Sequence, residues 1–297
     1  MMPTKRLYYV LPICALLTAC ARPIANFSYA EKEHTAPATV RFDNRSEKAT
    51  AYEWDFGDGS TSTEASPQHR YTSSGNHLVR LRASKGKRHK TFEQRVFVQA
   101  PNDCLVEIET EFGNILLQLS NATPQHRDNF LKLADEGFYD SLAFHRIIEG
   151  FMVQGGDPDS RTAEKGEALG TGGPGYEVPA EFVDSLIHLK GALAAARMPD
   201  EMNPQKKSSG SQFYIVQGRP VTEAMLENFS SQNGFRYTQA QKAAYLKYGG
   251  TPQLDRQYSV FGKVLSGLDV LDKIAAVKTD AANRPLEDVR MKMRVIR

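Results

Sequence analysis

Three shortages in this sequence each close off a set of readings. It has only 3 cysteines in 297 residues. Cys14 lies in an N-terminal apolar run and Cys20 three residues past its end, so a chain that loses the first and carries the second as a thioether keeps Cys104 as its one ordinary thiol. One thiol forms no intrachain disulfide, and no Cys/His spacing suited to a metal occurs, so neither metal nor cofactor is expected. Cys104, beside Leu105 and Val106, reads as a small apolar filler rather than a nucleophile. Charge of one sign is equally scarce: 37 Lys and Arg face 35 Asp and Glu. The excess of two is Lys5 and Arg6, beyond which the charges balance. Nucleic-acid binding draws on clustered cations that release counterions, so no nucleic-acid partner is expected. Apolar runs are short as well. The longest, Leu7–Leu17, falls below the roughly 20 residues that a membrane span needs. What remains, 40% apolar and 24% charged, is the balance of ordinary globular domains. At about 100–200 residues per domain the length predicts two of them.

Lys5 and Arg6, the apolar run, the small pair Thr18-Ala19 and then Cys20 form a tripartite export signal. Leu17-Thr18-Ala19-Cys20 resembles the bacterial lipobox, whose cysteine is diacylated and becomes the new N-terminus. The resemblance implies a signal over 1–19, lipidation at Cys20, and a membrane partner reached through the lipid. The alternative is plain cleavage after Ala19, with Cys20 left free. Ala21 carries no retention signal of the Asp type, so the expectation is a periplasm-facing lipoprotein of the bacterial cell envelope, at the outer membrane.

Residues 20–102 alternate in short stretches broken by turn residues. Strands are expected at 38–42, 52–56, 78–82 and 92–98, the mark of an all-β sandwich. Tyr52, Trp54 and Phe56 share one strand face, ahead of the turn Gly57-Asp58-Gly59. Asp55 and Asp58 read as turn formers before they read as calcium ligands. Trp54-Asp55-Phe56-Gly57-Asp58-Gly59, with Ser66–Tyr71 and Gly75–Val79, resembles the PKD module. That likeness implies an immunoglobulin-like sandwich used for spacing, adhesion or ligand binding. Lys85-Gly86-Lys87-Arg88-His89-Lys90 is a basic hairpin tip that invites contact with a cell-envelope glycan or protein, though a solvated loop is the commoner reading.

From 103 to 297 the pattern is strands with a few helices. Thr123, as N-cap, and Pro124 open a helix through Asp135. The run Phe144-His145-Arg146-Ile147-Ile148-Glu149-Gly150-Phe151-Met152-Val153-Gln154-Gly155-Gly156-Asp157 closely resembles the signature of the cyclophilin-type peptidyl-prolyl cis-trans isomerases. Gly210–Val216 and Tyr258–Val264 resemble two further blocks of that family, in order. The likeness implies an all-β-dominated fold, the sandwich being followed by an eight-stranded antiparallel barrel closed by two helices. A literal G-x-G-x-x-G at Gly170, Gly172 and Gly175 fails as a dinucleotide site, because no strand leads in and Pro174 and Pro179 obstruct a following helix.

The reaction implied by the resemblance needs no nucleophile, base or metal. Rotation of an X–Pro amide crosses a barrier of about 18–20 kcal/mol because twisting it destroys resonance. In the twisted state the prolyl nitrogen regains a lone pair. An apolar clamp for the ring, a positioned cationic donor and polar grips for the backbone suffice. Arg146 fits the donor, since guanidinium stays charged and its planar fork keeps orientation. Met152 and Gln154 fall on one strand face, as do Gln212 and Tyr214. By resemblance, Arg146, Gln154 and Gln212 are the catalytic set. Phe151, Met152, Tyr214 and Leu254 line the proline pocket, and the chain at Ala196, Arg197 and Met198 grips the substrate. Tyr258 stands where the family often has histidine, and Gln253 where many members have tryptophan, which points to weak cyclosporin binding. Tyr214 replaces a usual phenylalanine, adding a hydroxyl that must find a partner. Residues 221–252 form an insertion with two expected helices, Thr222–Phe229 and Thr238–Tyr248, either a flap that shapes substrate choice or packed ornament. The expected activity is prolyl isomerisation on X-Pro segments of exported proteins. The alternative is a lipid-tethered protein that binds proline-containing partners without turnover.

Overall fold

The computed structural model describes residues 22–30 and 33–297. The signal-like segment and Cys20 lie outside the described residues. The chain divides at about residue 100 into two units, the second running from Ala100 to Arg297.

In the first unit β1 (Phe27–Tyr29), β2 (Ala38–Asn44) and β5 (Gln68–Tyr71) form one sheet. The other is made by β3 (Ala51–Asp55), β4 (Thr61–Ser62), β6 (Gly75–Lys85) and β7 (Arg88–Val98) in the order β4-β3-β6-β7. The strands within each sheet pair antiparallel. Alternation drives the packing: Ala38, Val40 and Phe42 of β2 are buried while Thr39, Arg41 and Asp43 face out. Phe27, Phe42, Trp54 and Phe56 meet with ring centroids 5.1–6.4 Å apart. The indole N–H donates to the Glu64 carbonyl at 2.9 Å, so Trp54 can be buried without an orphaned donor. Asp55 accepts from the Gly57 amide and Asp58 from the Ser60 amide, so both carboxylates shape the turn. Asp58 also pairs with His69 at 2.7 Å. Burial pushes its pKa up, but the bonds from His69 and Ser60 outweigh that and leave it lowered. The basic hairpin turns at Gly86-Lys87, with Lys85, Lys87, Arg88, His89 and Lys90 all exposed.

The second unit is built on an eight-stranded antiparallel sheet. Its strands are β8 (Leu105–Thr110), β9 (Gly113–Leu119), β10 (Arg146–Ile148), β11 (Met152–Gly155), β13 (Ala192–Ala195), β15 (Phe213–Val216), β16 (Val260–Ser266) and β17 (Lys292–Ile296). The short strands β12 (Glu177–Val178) and β14 (Ser208–Ser209) pair separately. The order is β10-β11-β15-β13-β16-β9-β8-β17, so the sheet curls from the signature strands round to the C-terminus. The segments leading into β10 and β17 then bond to each other: Ser141 donates to Met291, Met291 to Leu142, and Phe144 to Val289. This draws the two ends of the sheet together. Helices α1 (Pro124–Asp135) and α4 (Leu268–Ala275) supply Phe130, Leu133, Val270, Leu271 and Ile274 to the barrel core.

Two faces of the same strands are buried. Val153, Leu193, Ala195, Phe213 and Ile215 point into the barrel core. Their neighbours Met152, Ala192, Ala194, Tyr214 and Val216 form a second apolar cluster on the outer face. The period-2 alternation of strands therefore builds the core and, on the other face, the floor of a groove.

The insertion folds as α2 (Glu223–Asn233) and α3 (Gln239–Tyr248). The first runs one turn past the expected Phe229, because Gly234 at φ 61° ends it in the left-handed conformation. Thr222 caps α2, and Thr238 with Gln241 forms a capping box on α3. Leu226, Phe235, Tyr237 and Tyr245 give the insertion an apolar centre with Ile187 and Val221.

Helix α1 starts where expected, with Thr123 at the N-cap position and Pro124 first, but its capping bond comes from elsewhere. Thr123 makes no side-chain cap bond. The first-turn amides of Gln125 and His126 instead donate to the Glu181 carboxylate at 3.2 and 3.0 Å. A carboxylate satisfies both orphan amides and meets the positive end of the helix, which a threonine hydroxyl cannot match.

Candidate active site

Strand register places the site. Arg146 on β10 lies opposite Gln154 on β11, which lies opposite Tyr214 on β15. A groove of about 260 Å3 opens over them, lined by Arg146, Phe151, Met152, Gln154, Ala196, Arg197, Tyr214, Leu254 and Tyr258. Its floor is apolar. Met152 and Tyr214 are buried, and Phe151, Leu254 and Tyr258 pack against their cluster half-buried.

Polar groups run along one side. Arg146 Nη1 donates to Gln154 Oε1 at 3.3 Å, Gln154 Nε2 to Gln212 Oε1 at 3.1 Å, and Gln212 Nε2 to the Gly172 carbonyl at 2.8 Å. Arg146 makes no ion pair among the described residues. A guanidinium has five N–H donors, so one long bond to Gln154 leaves most of its capacity facing the groove.

Gln212 and Met198 do not line this groove. They line an adjoining hollow of about 450 Å3, bounded by Gly170–Gly173, Tyr176, Glu177 and Ser209, which shares Gln154, Ala196 and Arg197 with the first. Met198 is exposed there. The glycine loop that forms one wall is held by Asp157, whose carboxylate accepts from the amides of Gly170 and Gly172. A Cβ at Gly172 would lie 2.1 Å from Asp157 Oδ1, so only glycine admits this approach.

Arg197 is engaged elsewhere. Its Nε donates to the Gln257 carbonyl at 2.7 Å, its Nη1 to the Met198 carbonyl, and it pairs with Asp200. Its guanidinium also sits 4.6 Å from the Tyr258 ring centroid. The side chain therefore braces the groove wall. The Ala196 amide donates to Gln212 and its carbonyl accepts from Ser209, so that peptide link is spent inside the protein.

A second cluster has the distances of a hydrolytic triad. Ser208 Oγ lies 2.9 Å from His126 Nε2, and His126 Nδ1 lies 2.6 Å from Glu181. Ser208 is 1% exposed, and the hollow beside His126 is only about 10 Å3. No substrate carbonyl reaches that hydroxyl, and the cluster belongs to the capping of α1. Among the described residues no group of His, Cys, Asp and Glu could hold a metal ion.

Sequence reasoning missed His188 and Asp255. Both are fully buried and bonded to each other at 2.8 Å beneath the groove.

The family of cyclophilin-type peptidyl-prolyl cis-trans isomerases matches residues 105–295, and the PKD domain family matches residues 20–99. A Streptococcus pyogenes protein named as a bifunctional phosphatase/peptidyl-prolyl cis-trans isomerase is 42% identical over 187 residues, 62% of this chain. The match spans only 37% of that relative. A Staphylococcus saprophyticus protein named as a peptidyl-prolyl cis-trans isomerase is 34% identical over 63% of this chain and 89% of its own. A crystal structure of a cyclophilin-type isomerase of Cryptosporidium parvum aligns with 65% of this chain and 97% of its own, at 24% identity and a TM-score of 0.47. The chain belongs to the cyclophilin-type peptidyl-prolyl cis-trans isomerase family, with a PKD domain ahead of the isomerase domain.

Proposed function

We propose that the groove over β10, β11 and β15 is the isomerase site, with Arg146 as the donor to the prolyl nitrogen of the twisted amide. The observation that carries this is a guanidinium at the edge of an apolar groove with one 3.3 Å bond and no ion pair among the described residues. A charge held by its neighbours yet left without a counterion is matched to a lone pair that exists only in the transition state. Phe151, Met152, Tyr214 and Leu254 hold the proline ring. Gln154 orients Arg146, and Gln212, together with the chain at Arg197 and Met198, grips the residues before the proline, while Ala196, its backbone groups bonded within the protein, only lines the groove. The substrates are X-Pro segments of exported proteins in the bacterial cell envelope. The protein faces the periplasm from a lipid anchor at Cys20, and the PKD domain spaces the catalyst or docks it on the envelope.

The test is Arg146→Ala, with exchange spectroscopy on a short Ala-Pro-Phe peptide reporting turnover and affinity on one sample. Catalytic efficiency should fall about tenfold to a thousandfold, the range of one lost transition-state donor, while peptide affinity changes far less. Equal catalysed rates in the two proteins at matched occupancy would remove Arg146 as the donor, and no exchange above the uncatalysed rate in the unaltered protein would leave a binding protein in place of an enzyme.

A further inference from the structure

The hydroxyl that Tyr214 adds to the groove floor has a destination, and the route leads into the insertion. Tyr214 Oη lies 3.0 Å from His188 Nε2, with the two rings stacked at 14°. His188 Nδ1 and the His188 backbone amide each lie 2.8 Å from Asp255 Oδ1. Asp255 Oδ2 lies 2.8 Å from the Tyr237 hydroxyl and 2.6 Å from that of Tyr245. Tyr245 belongs to α3 and Tyr237 to the link between α2 and α3. All five side chains are buried, Tyr245 and His188 completely.

Counting donors orders this chain around a neutral His188. An ionised carboxylate only accepts, and here it takes four bonds: one from the His188 amide, one from Nδ1–H and two from phenols. A neutral imidazole with its proton on Nδ1 offers Nε2 as an acceptor, and Tyr214 then donates to it. Burial, with Tyr258 and Asp255 nearby, pushes the Tyr214 pKa well above its usual value, so the phenol keeps the proton it donates. Every polar atom in the chain is then satisfied, as a buried network requires.

The same residues fix the groove wall. Tyr237 also bonds the Pro252 carbonyl, and Pro252–Leu254 is the helical turn that carries Leu254 to the groove, directly before Asp255. The insertion returns to the barrel at Gly250, where a Cβ would lie 2.2 Å from the His188 carbonyl. Glycine is what lets the returning chain press against the histidine.

We propose that the 221–252 insertion is a positioning device for the proline groove. Tyr237 and Tyr245 hold Asp255, Asp255 holds His188, and His188 draws the Tyr214 hydroxyl away from the substrate. Tyr214 thereby shows the proline its ring and not its polar edge, and His188, Asp255, Tyr237 and Tyr245 are positioning residues. This rests on the assignment of the groove as the prolyl site.

Two measurements test it on the full chain. The first is a cycle in which the pair Tyr237→Phe and Tyr245→Phe is made in the unaltered protein and in the Tyr214→Phe background. In the unaltered protein the pair should raise KM for an Ala-Pro peptide about tenfold, the scale of one buried polar group losing its partner, with kcat within about twofold. In the Tyr214→Phe background, where no hydroxyl is left to hold, the change in KM should shrink to about twofold or less. Equal effects in the two backgrounds, or no effect in the first, would overturn the proposal. The second needs no variant of the network: nitrogen NMR of isotope-labelled protein at neutral pH, with the His188 ring signals assigned through bonds from its backbone. A neutral ring protonated at Nδ1 is expected. Protonation at Nε2, alone or with Nδ1, would free the Tyr214 proton and overturn the proposal. If the unaltered protein does not isomerise the peptide, the groove assignment fails, and the imidazole spectrum still decides the network.

Discussion

His145, inside the signature run, is buried, and neither ring nitrogen has a hydrogen-bond partner. Burial lowers its pKa from 6.5 to about 4; Asp157 opposes the shift, while Arg146 and Arg284 add to it. The sign follows from where the proton goes. The unfolded chain takes up a proton below 6.5, the folded one only near 4, so the stability tied to a neutral His145 is complete above 6.5 and is lost as pH falls through that window. Between pH 7 and 5 this site should cost the isomerase domain about 2 kcal/mol, and about 3 kcal/mol once pH is below both values. His145→Phe keeps the ring volume and removes the titration. Urea titrations read at the Leu193 and Val153 methyl signals should show a pH-dependent loss in the unaltered protein that is smaller by about 2 kcal/mol in the variant. The same loss in both proteins would mean that His145 titrates no differently in the fold than in the unfolded chain. His126 is a second neutral histidine, with burial outweighing its bond to Glu181, so some acid sensitivity should survive the substitution.

Elements differ in how much of them can be read from neighbouring residues. Strand β2 and helix α1 are legible because their burial alternates or recurs within a few residues. The arms of the β6–β7 hairpin run to Lys85 and start at Arg88, beyond the expected ends, because backbone pairing continues where no apolar side chain marks it. Strands β1, β4 and β5 are short and were hidden among turn residues. The cap of α1 lies 55 residues away in Glu181, and the His188–Asp255 pair spans 67 residues, so neither has a local signal. The groove residues were legible because Arg146, Phe151, Met152 and Gln154 sit in one run that β10 and β11 fold back on itself. The Glu181 cap is open to test. Bonds from His126, through side chain and backbone, outweigh burial and hold its pKa low. Glu181→Ala should cost the isomerase domain about 2–3 kcal/mol, since it strips the first turn of α1 and leaves His126 Nδ1 buried without an acceptor. Glu181→Gln keeps a carbonyl oxygen for one of those donors and should cost about half as much. Amide exchange at Gln125 and His126 should speed up in both. Unchanged protection there would show that the cap is replaced by solvent without loss.

For the molecule as a whole, the open physical question is what could keep it at a membrane. Among the described residues no helix is long and apolar enough to cross one. Electrostatics is a weak candidate: beyond residue 19 the charges balance at 35 against 35, and the exposed cations of the Lys85–Lys90 hairpin are a single cluster. A single acyl chain holds a protein only marginally, whereas two chains anchor it stably, so the diacylated Cys20 of our proposal is sufficient by itself. The two sources separate under alkaline carbonate, which strips charge-held proteins and leaves lipid-held ones. The unaltered protein should stay in the membrane pellet after that wash. Cys20→Ser, which removes the only acyl acceptor proposed and alters no residue of either domain, should move it to the soluble fraction with isomerase activity retained. A variant that still pellets and resists carbonate would refute the lipid anchor. One that pellets but washes off would transfer the attachment to the basic hairpin.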